Sequence, residues 1–319
     1  MTPSESRSPR RLVVLTGTGL EHHYVTNRLC AALPIEAVIV DERVRRPSLR
    51  RAFRGSPLGG ASRIGLFVFR RLVRDDAAFA NSLRTILGSK LTDRFTDEHL
   101  VVRIEGVNSV AARAAIAATK PDLLLIFGTS IVGDETLALA RERTLNLHTG
   151  VSPRYRGTDC AFWPVVNAEP EWIGATVHEC TADVDGGQIF AVERAKWEPS
   201  DHIHSLFARA VVCGADLYVD AVQSYLREGT LDGKRQDLTE GHEYRGYMRR
   251  LAPELRARMA LRRGLLRRTR RRAESPSVPV MPSAHRPGGA YPASHLQAGL
   301  HVHRGDPAQA TPTRRETLI

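Results

Sequence analysis

Cysteine is scarce in this chain of 319 residues: Cys30, Cys160, Cys180 and Cys213 lie far apart and form no C-x-x-C pair. That spacing argues against a disulfide framework or a thiolate metal site, and for reduced core thiols in a cytoplasmic protein. No run of 18 or more apolar residues occurs, so no spanning helix is expected. Residues 1–11 are polar and contain no apolar stretch, so they do not read as a secretory leader. The histidine pairs His22-His23, His202-x-His204 and His301-x-His303 never gather a full ligand set at a recognisable spacing, so no metal centre is expected. His22 or His23 has a better use near a substrate pocket or on the surface.

Acidic residues are nearly absent from one segment. Residues 245–272 hold twelve arginines and one acid, Glu254, and so carry the whole net charge of +11. Elsewhere 34 basic residues balance 34 acidic ones. Basicity therefore reads as a property of an appendage, and it says nothing about the chemistry of the body. The segment could contact phosphates. It lacks the interleaved aromatics that stack single-stranded bases, with Tyr244 and Tyr247 only at its edge.

Strand and helix signals alternate through the first 229 residues. Leu12–Thr16 is a short apolar run ending in Gly17-Thr18-Gly19, which reads as a buried strand and a turn. A helix is expected around Val25–Ala32 and a strand at Ile35–Val40. Six arginines and a proline mark 43–54 as a loop. Ile64–Leu87 has helical spacing of apolar residues. Strands are expected at His99–Ile104, Leu123–Phe127, Leu145–His148, Ile173–Cys180 and Gln188–Lys196. Helices are expected at Ser109–Thr119, Asp134–Arg141 and Phe162–Asn167, and in a long segment to Leu226 with Asp201 as its cap. Such alternation predicts an α/β fold: a mostly parallel twisted sheet with helices on both faces. Residues 230–272 form a basic helical extension, broken at Pro253 and Gly264. Residues 273–319 hold seven prolines and four glycines. They have too few large apolar side chains to offset ordering costs of roughly 1–2 kcal/mol per residue, so disorder is expected there.

The chemistry concentrates in Asn146–Gly187. Side chains two apart on a strand point the same way, so Asn146 and His148 project together from a strand end, where open α/β sheets bind ligands. Asp185 falls in the turn Val184-Asp185-Gly186-Gly187. A carboxylate can take a proton from an attacking amine. An amide and a protonated imidazole can hold a developing oxyanion, at about 3–4 kcal/mol per donor. A nearby Asp185 would raise the imidazole pKa.

Asn146-Leu147-His148, Pro153-Arg154-Tyr155-Arg156-Gly157 and Val184-Asp185-Gly186-Gly187-Gln188-Ile189 together resemble the signature of 10-formyltetrahydrofolate-dependent formyltransferases. That family includes glycinamide ribonucleotide, methionyl-tRNA and sugar N-formyltransferases. The resemblance covers roughly residues 11–229 and is strongest over 121–189. It implies a Rossmann-like catalytic domain over 11–229, 10-formyltetrahydrofolate as formyl donor, and Asn146, His148 and Asp185 as the catalytic trio. It also implies a pterin pocket lined by Gly128, Thr129, Ser130, Ile131 and Val132, with Thr181 to Asp185 closing over it. Tyr155 and Arg156 become candidate substrate contacts, with a purely structural role as the alternative. Two departures stand out. Thr149-Gly150-Val151-Ser152-Pro153 replaces the more usual Ser-Leu-Leu-Pro, and Asp183 stands where many members carry glycine; it reads as a solvated turn residue.

Gly17 and Thr18 resemble the start of the ribonucleotide enzyme's phosphate loop, so they are candidate substrate contacts. The chain continues with Leu20-Glu21-His22-His23, and Glu21 would repel a phosphate. The methionyl-tRNA enzymes add a folded β-barrel that residues 230–319 do not resemble. The acceptor expected by elimination is a small-molecule amine, such as an amino-sugar nucleotide or a specialised metabolite. A methionyl-tRNA formyltransferase-like enzyme that holds nucleic acid with its Arg-rich segment is the first alternative. A non-catalytic folate-binding protein is the second.

Overall fold

The computed structural model describes residues 9–43, 57–181 and 183–273. The loop expected at 43–54 lies almost wholly outside those residues, as do the expected disordered tail and His301 and His303.

A seven-stranded sheet organises the chain, in the order β3-β2-β1-β4-β5-β7-β8. Its strands are β1 (Leu12–Thr16), β2 (Ile35–Asp41), β3 (Val101–Ile104), β4 (Leu123–Phe127), β5 (Arg143–His148), β7 (Gly174–Glu179) and β8 (Ile189–Arg194). The first five in that order pair in parallel. β7 runs antiparallel to β5, and β8 antiparallel to β7. β1 and β4 are buried at every position, as expected of parallel strands covered on both faces. The strand order reverses between β1 and β4, which opens a crevice above their carboxyl ends. The mostly parallel α/β architecture expected from the sequence is present.

Helices follow the strands with some displaced boundaries. α1 (Leu20–Ala32) starts five residues before the expected Val25. Gly19 caps it in an extended conformation, and His22 Nδ1 accepts from the Gly19 N–H at 2.9 Å. The expected Ile64–Leu87 helix is two helices, α2 (Pro57–Leu72) and α3 (Asp75–Leu87), separated by Arg74 in the left-handed region at φ 52°. α4 (Val110–Thr119) is capped by Ser109, whose hydroxyl accepts from Ala112 N. α5 (Asp134–Leu137) is a single turn, shorter than expected. After the short strand β6 (Tyr155–Gly157) comes α6 (Trp163–Val166). α7 (Ile203–Glu228) is the longest helix described, and its cap is His202 rather than Asp201. Asp201 instead accepts from Glu198 N at 2.6 Å and pairs with Arg209.

α7 covers one face of β5 and β7. Gly214 permits the approach: a Cβ there would lie 2.9 Å from Ala175 Cβ and 3.2 Å from Leu147 Cδ1. Buried Tyr218 donates to the Leu145 carbonyl at 2.6 Å. These contacts anchor Leu145 and Leu147 and turn Asn146 and His148 to the opposite face.

Residues 230–272 do not stand apart as an appendage. β9 (His242–Tyr244) pairs in parallel with β6. α8 (Leu251–Arg262) and α9 (Leu265–Ala273) follow. Ala257, Leu265 and Leu266 pack with Phe162, Trp163, Ile203 and Leu206 in one cluster. Pro253 does not break α8, because it lies in the first turn, where a missing N–H costs nothing. Gly264, at φ +77°, does separate α8 from α9. Glu254 is fully buried and pairs with Arg249 at 2.9 Å and Arg258 at 2.8 Å. Arg258 also reaches Asp75 at 2.5 Å, which His204 Nε2 meets at 2.8 Å.

Burial opposes the charge of Glu254, but the charges and hydrogen bonds of Arg249 and Arg258 hold its carboxyl below the usual range. A depressed folded pKa stabilises the fold above the unfolded carboxylate pKa of about 4.3, and that contribution is lost as pH falls through the folded value. Glu254→Ala removes the buried carboxylate that Arg249 and Arg258 share and should cost about 3 kcal/mol in unfolding free energy at neutral pH. Denaturant titrations should show the gap to the native sequence narrowing in acid.

Candidate active site

Asn146 and His148 occupy the carboxyl end of β5, on the face away from α7. Thr176 and His178 of β7 stand opposite them, with Asn146 paired to His178 and His148 to Thr176. Here the chain lays loops over the sheet. The Thr176 hydroxyl donates to Gly150 O at 2.7 Å and accepts from Ser152 N at 3.0 Å, which pins the loop after β5. The loop after β7 brings Asp185 back over the same face.

All three expected groups converge. Asp185 Oδ2 lies 3.3 Å from His148 Nδ1. Asp185 Oδ1 lies 3.5 Å from Asn146 Nδ2. His178 joins them, with Nε2 at 3.3 Å from Asp185 Oδ1 and 3.0 Å from Asn146 Nδ2. His178 Nδ1 sits 2.7 Å from the Glu179 carbonyl, which can only accept. Nδ1 therefore donates to that carbonyl, and Nε2 faces both the Asn146 amide and the Asp185 carboxylate. His148 Nε2 likewise donates to the Tyr155 carbonyl at 3.0 Å, leaving Nδ1 toward Asp185.

Asp185 is held by its backbone as well as its charge. It adopts φ +48°, unusual for a residue with a side chain. Gly157 N donates to Oδ2 at 2.8 Å. Gln236 Nε2 donates to the carbonyls of Asp185 at 2.8 Å and Gly187 at 2.6 Å. Gly187 is required because a Cβ there would lie 2.0 Å from Glu179 O.

Burial opposes the Asp185 charge, but His148, His178 and the Gly157 N–H together keep it well below the usual carboxylate range. For His148 the balance goes the other way. Burial lowers its pKa, with a further push from His178, and outweighs the opposing effects of Asp185 and the Tyr155 carbonyl. Asp185 does push the imidazole pKa upward, as expected, but burial outweighs it, so the protonated donor form is not favoured overall. With its pKa lowered, the His148 imidazole is neutral near pH 7, beside an ionised Asp185. Cys160 takes no part as a nucleophile, because burial and then Asp185 raise its thiol pKa far above the ordinary value.

The other expected residues are placed variously. Gly128 begins the loop after β4 at φ +67°. His22 Nε2 lies 3.1 Å from Gly128 O, and its ring also covers Gly17. Thr129 donates to Ser130 O at 2.9 Å. Asn108 fastens this loop by donating to Ile131 O and accepting from Gly133 N. Ile131 is 65% exposed and Val132 is buried. Thr18 and Thr181 are exposed, and Asp183 is an exposed turn residue.

Tyr155 is fully buried, so its side chain makes no substrate contact there. Its hydroxyl donates to Glu169 at 2.7 Å, and its backbone carbonyl is what serves the site. Arg156 is also buried and donates to Leu238 O at 3.0 Å. His23 packs edge-on against Phe95. The sequence reading missed His178 and Gln236. His178 was detectable only through the antiparallel register, and no local pattern marks Gln236.

Residues 90–222 match the family model described as formyl transferase. That segment is similar to the formyltransferases. It contains Asn146, His148, His178 and Asp185. The chain is 30% identical over 139 residues to a methionyl-tRNA formyltransferase of Geobacter metallireducens, covering 43% of this chain and 44% of that one. It is 34% identical over 92 residues to a GDP-perosamine N-formyltransferase of Brucella melitensis, covering 28% and 35%. The chain spans less than half the length of either curated relative. A solved N-formyltransferase of Helicobacter canadensis, in complex with folinic acid and dTDP-3-aminofucose, is 13% identical. That likeness covers 78% of this chain and 79% of that one, at a TM-score of 0.49.

Replacing Asp185 by Asn removes the charge that favours the imidazolium. NMR titration should then show His148 starting below the usual imidazole value in the native protein and falling further in the variant. Gly157→Ala should lower stability by about 2 kcal/mol or more, since its φ is +90° and a Cβ would lie 2.0 Å from Tyr244 O. Thermal unfolding measures that loss.

Proposed function

We propose that this chain transfers a formyl group from 10-formyltetrahydrofolate to the primary amine of a small molecule. The supporting observation is the convergence of Asn146 Nδ2 and His148 Nδ1 on one carboxylate, within 3.5 Å and 3.3 Å of Asp185, inside a formyltransferase-like segment.

The residues present meet the demands of the reaction. The donor supplies the carbonyl that the amine attacks. Asp185, ionised near neutrality, accepts the amine's proton or relays it. Neutral His148 receives that proton at Nδ1, which points at Asp185, and delivers it to the departing nitrogen. The Asn146 amide that faces His178 Nε2 is the donor available to the formyl oxygen as it gains charge. A neutral resting imidazole thus serves as a carrier: the proton it delivers is the one the amine has lost.

We assign the loop Gly128–Val132 and the segment Thr181–Asp185 to the pterin of the donor. The glycine conformation of the first loop, its tether to Asn108 and the exposed Ile131 suit a slot with backbone and apolar contacts. Gly17 and Thr18 border the crevice between β1 and β4, on the route an acceptor would take; His22 must move for Gly17 to be reached. An amino sugar carried on a nucleotide is the favoured acceptor, supported by the match to the perosamine enzyme. The four cysteines are free, which suits a cytoplasmic enzyme.

Incubation with 10-formyltetrahydrofolate and a panel of amino-sugar nucleotides should release tetrahydrofolate. Asp185→Asn and His148→Ala should each reduce turnover by about a hundredfold or more. No release with any amine, despite folate binding, would refute catalysis. Formylation of methionyl-tRNA in place of small amines would move the acceptor to RNA.

A further inference from the structure

The arginines of the C-terminal segment differ in their partners; Arg245 and Arg270 pair with Glu243 and Glu198. Arg249 and Arg258 turn inward onto Asp75, Asp159 and Glu254. The opposite face of α8 exposes Leu255, Arg256, Met259, Arg262 and Arg263, positions that share one side of a helix. Leu255 is 42% and Met259 49% exposed. Past Gly264 the chain bends, so that Arg262, Arg263, Arg267 and Arg268 surround a cavity of about 330 Å³ with no acid in its lining. No described carboxylate pairs with these four guanidinium groups.

α2 repeats the pattern beside it. It packs on α8 through Gly65 near Leu251 and Phe69 beneath the Arg258 guanidinium. Its far side exposes Ile64, Phe67, Val68 and Leu72, the last at 77%. Arg71 lies over the Phe67 ring at 5.5 Å. The helix contains no acidic residue.

We propose that this face docks peripherally on a bilayer carrying anionic headgroups. Apolar side chains interspersed with unpaired arginines suit the boundary between headgroups and acyl chains. There Leu255, Met259, Phe67 and Leu72 leave water, while the long arginine stems reach back to phosphates. A solvated surface would mix both signs of charge. A nucleic acid would use the arginines and leave the aliphatic side chains in water. No described helix is long and apolar enough to cross a membrane, so the contact is with the surface.

The test is co-sedimentation of the full chain with phosphatidylcholine vesicles, with and without phosphatidylglycerol. Binding is expected only with the anionic lipid and should weaken as salt is raised. Replacing Arg262 and Arg263 together by Gln should weaken it about tenfold or more. Replacing Phe67 and Leu72 together by Ser, which leaves every arginine in place, should weaken it by a comparable factor. Both variants should keep the native unfolding temperature. No vesicle binding, equal binding to neutral vesicles, or indifference to the Phe67/Leu72 replacement would overturn the proposal. So would tighter binding to single-stranded RNA than to anionic vesicles, or concentration-dependent self-association that the Phe67/Leu72 replacement abolishes.

Discussion

A buried carboxylate must be compensated, and the site is built around that requirement. The Asp185 side chain is only 13% exposed, so its charge needs partners within hydrogen-bond reach. It accepts from the Gly157 N–H and lies within 3.5 Å of the Asn146 amide and of the His148 and His178 rings. The partners come from three stretches of chain: β5, β6 and β7. Satisfying one anion therefore ties β6 and the Asp185 loop to the sheet. The left-handed backbone at Asp185 is tolerated because Gln236 and the packing of Gly187 against β7 leave it little alternative.

The same requirement explains the two faces of the sheet near β5. On one face, α7 packs apolar side chains against Leu145, Leu147, Ala175 and Val177. On the other, Asn146, His148, Thr176 and His178 would be costly to bury under a helix, which offers few free polar groups. Loop and short-strand backbone can offer amides and carbonyls, and here it does: Gly150 and Ser152 contribute from a loop, and Tyr155 and Gly157 from β6. The site is polar because these strands alternate, and it is loop-covered because it is polar.

Much of this was legible in the sequence, for identifiable reasons. Leu12–Thr16 and Leu123–Phe127 were read to the residue, since continuous apolar runs between turn signals have few other solutions. Asn146, His148 and Asp185 were found through spacing and resemblance. α1 was placed too late because its first turn, Leu20-Glu21-His22-His23, lacks apolar period and its cap is glycine. Tyr155 looked like a substrate contact because it follows the histidine closely; only the fold shows its ring packed inward. His178 lay in plain view, but its partner depends on a cross-strand register that no single strand reveals. The basic segment misled most. Twelve arginines dominate its composition, while Glu254, Ala257, Leu265 and Leu266 decide its packing.

That segment shows why net charge is a poor guide to what a chain does with its arginines. Two of them are internal counterions: without Arg249 and Arg258, Glu254 could not be buried, and α8 could not cover Phe162 and Trp163. From that covered layer, Asn167 donates to the hydroxyls of Tyr155 and Tyr244, and β9 pairs with β6, whose Gly157 holds Asp185. An unbroken chain of contacts thus runs from a buried ion pair in the C-terminal helices to the Asp185 carboxylate. Outside this chain of contacts, Arg270 pairs with Glu198, whereas Arg262, Arg263, Arg267 and Arg268 around Gly264 meet no described carboxylate.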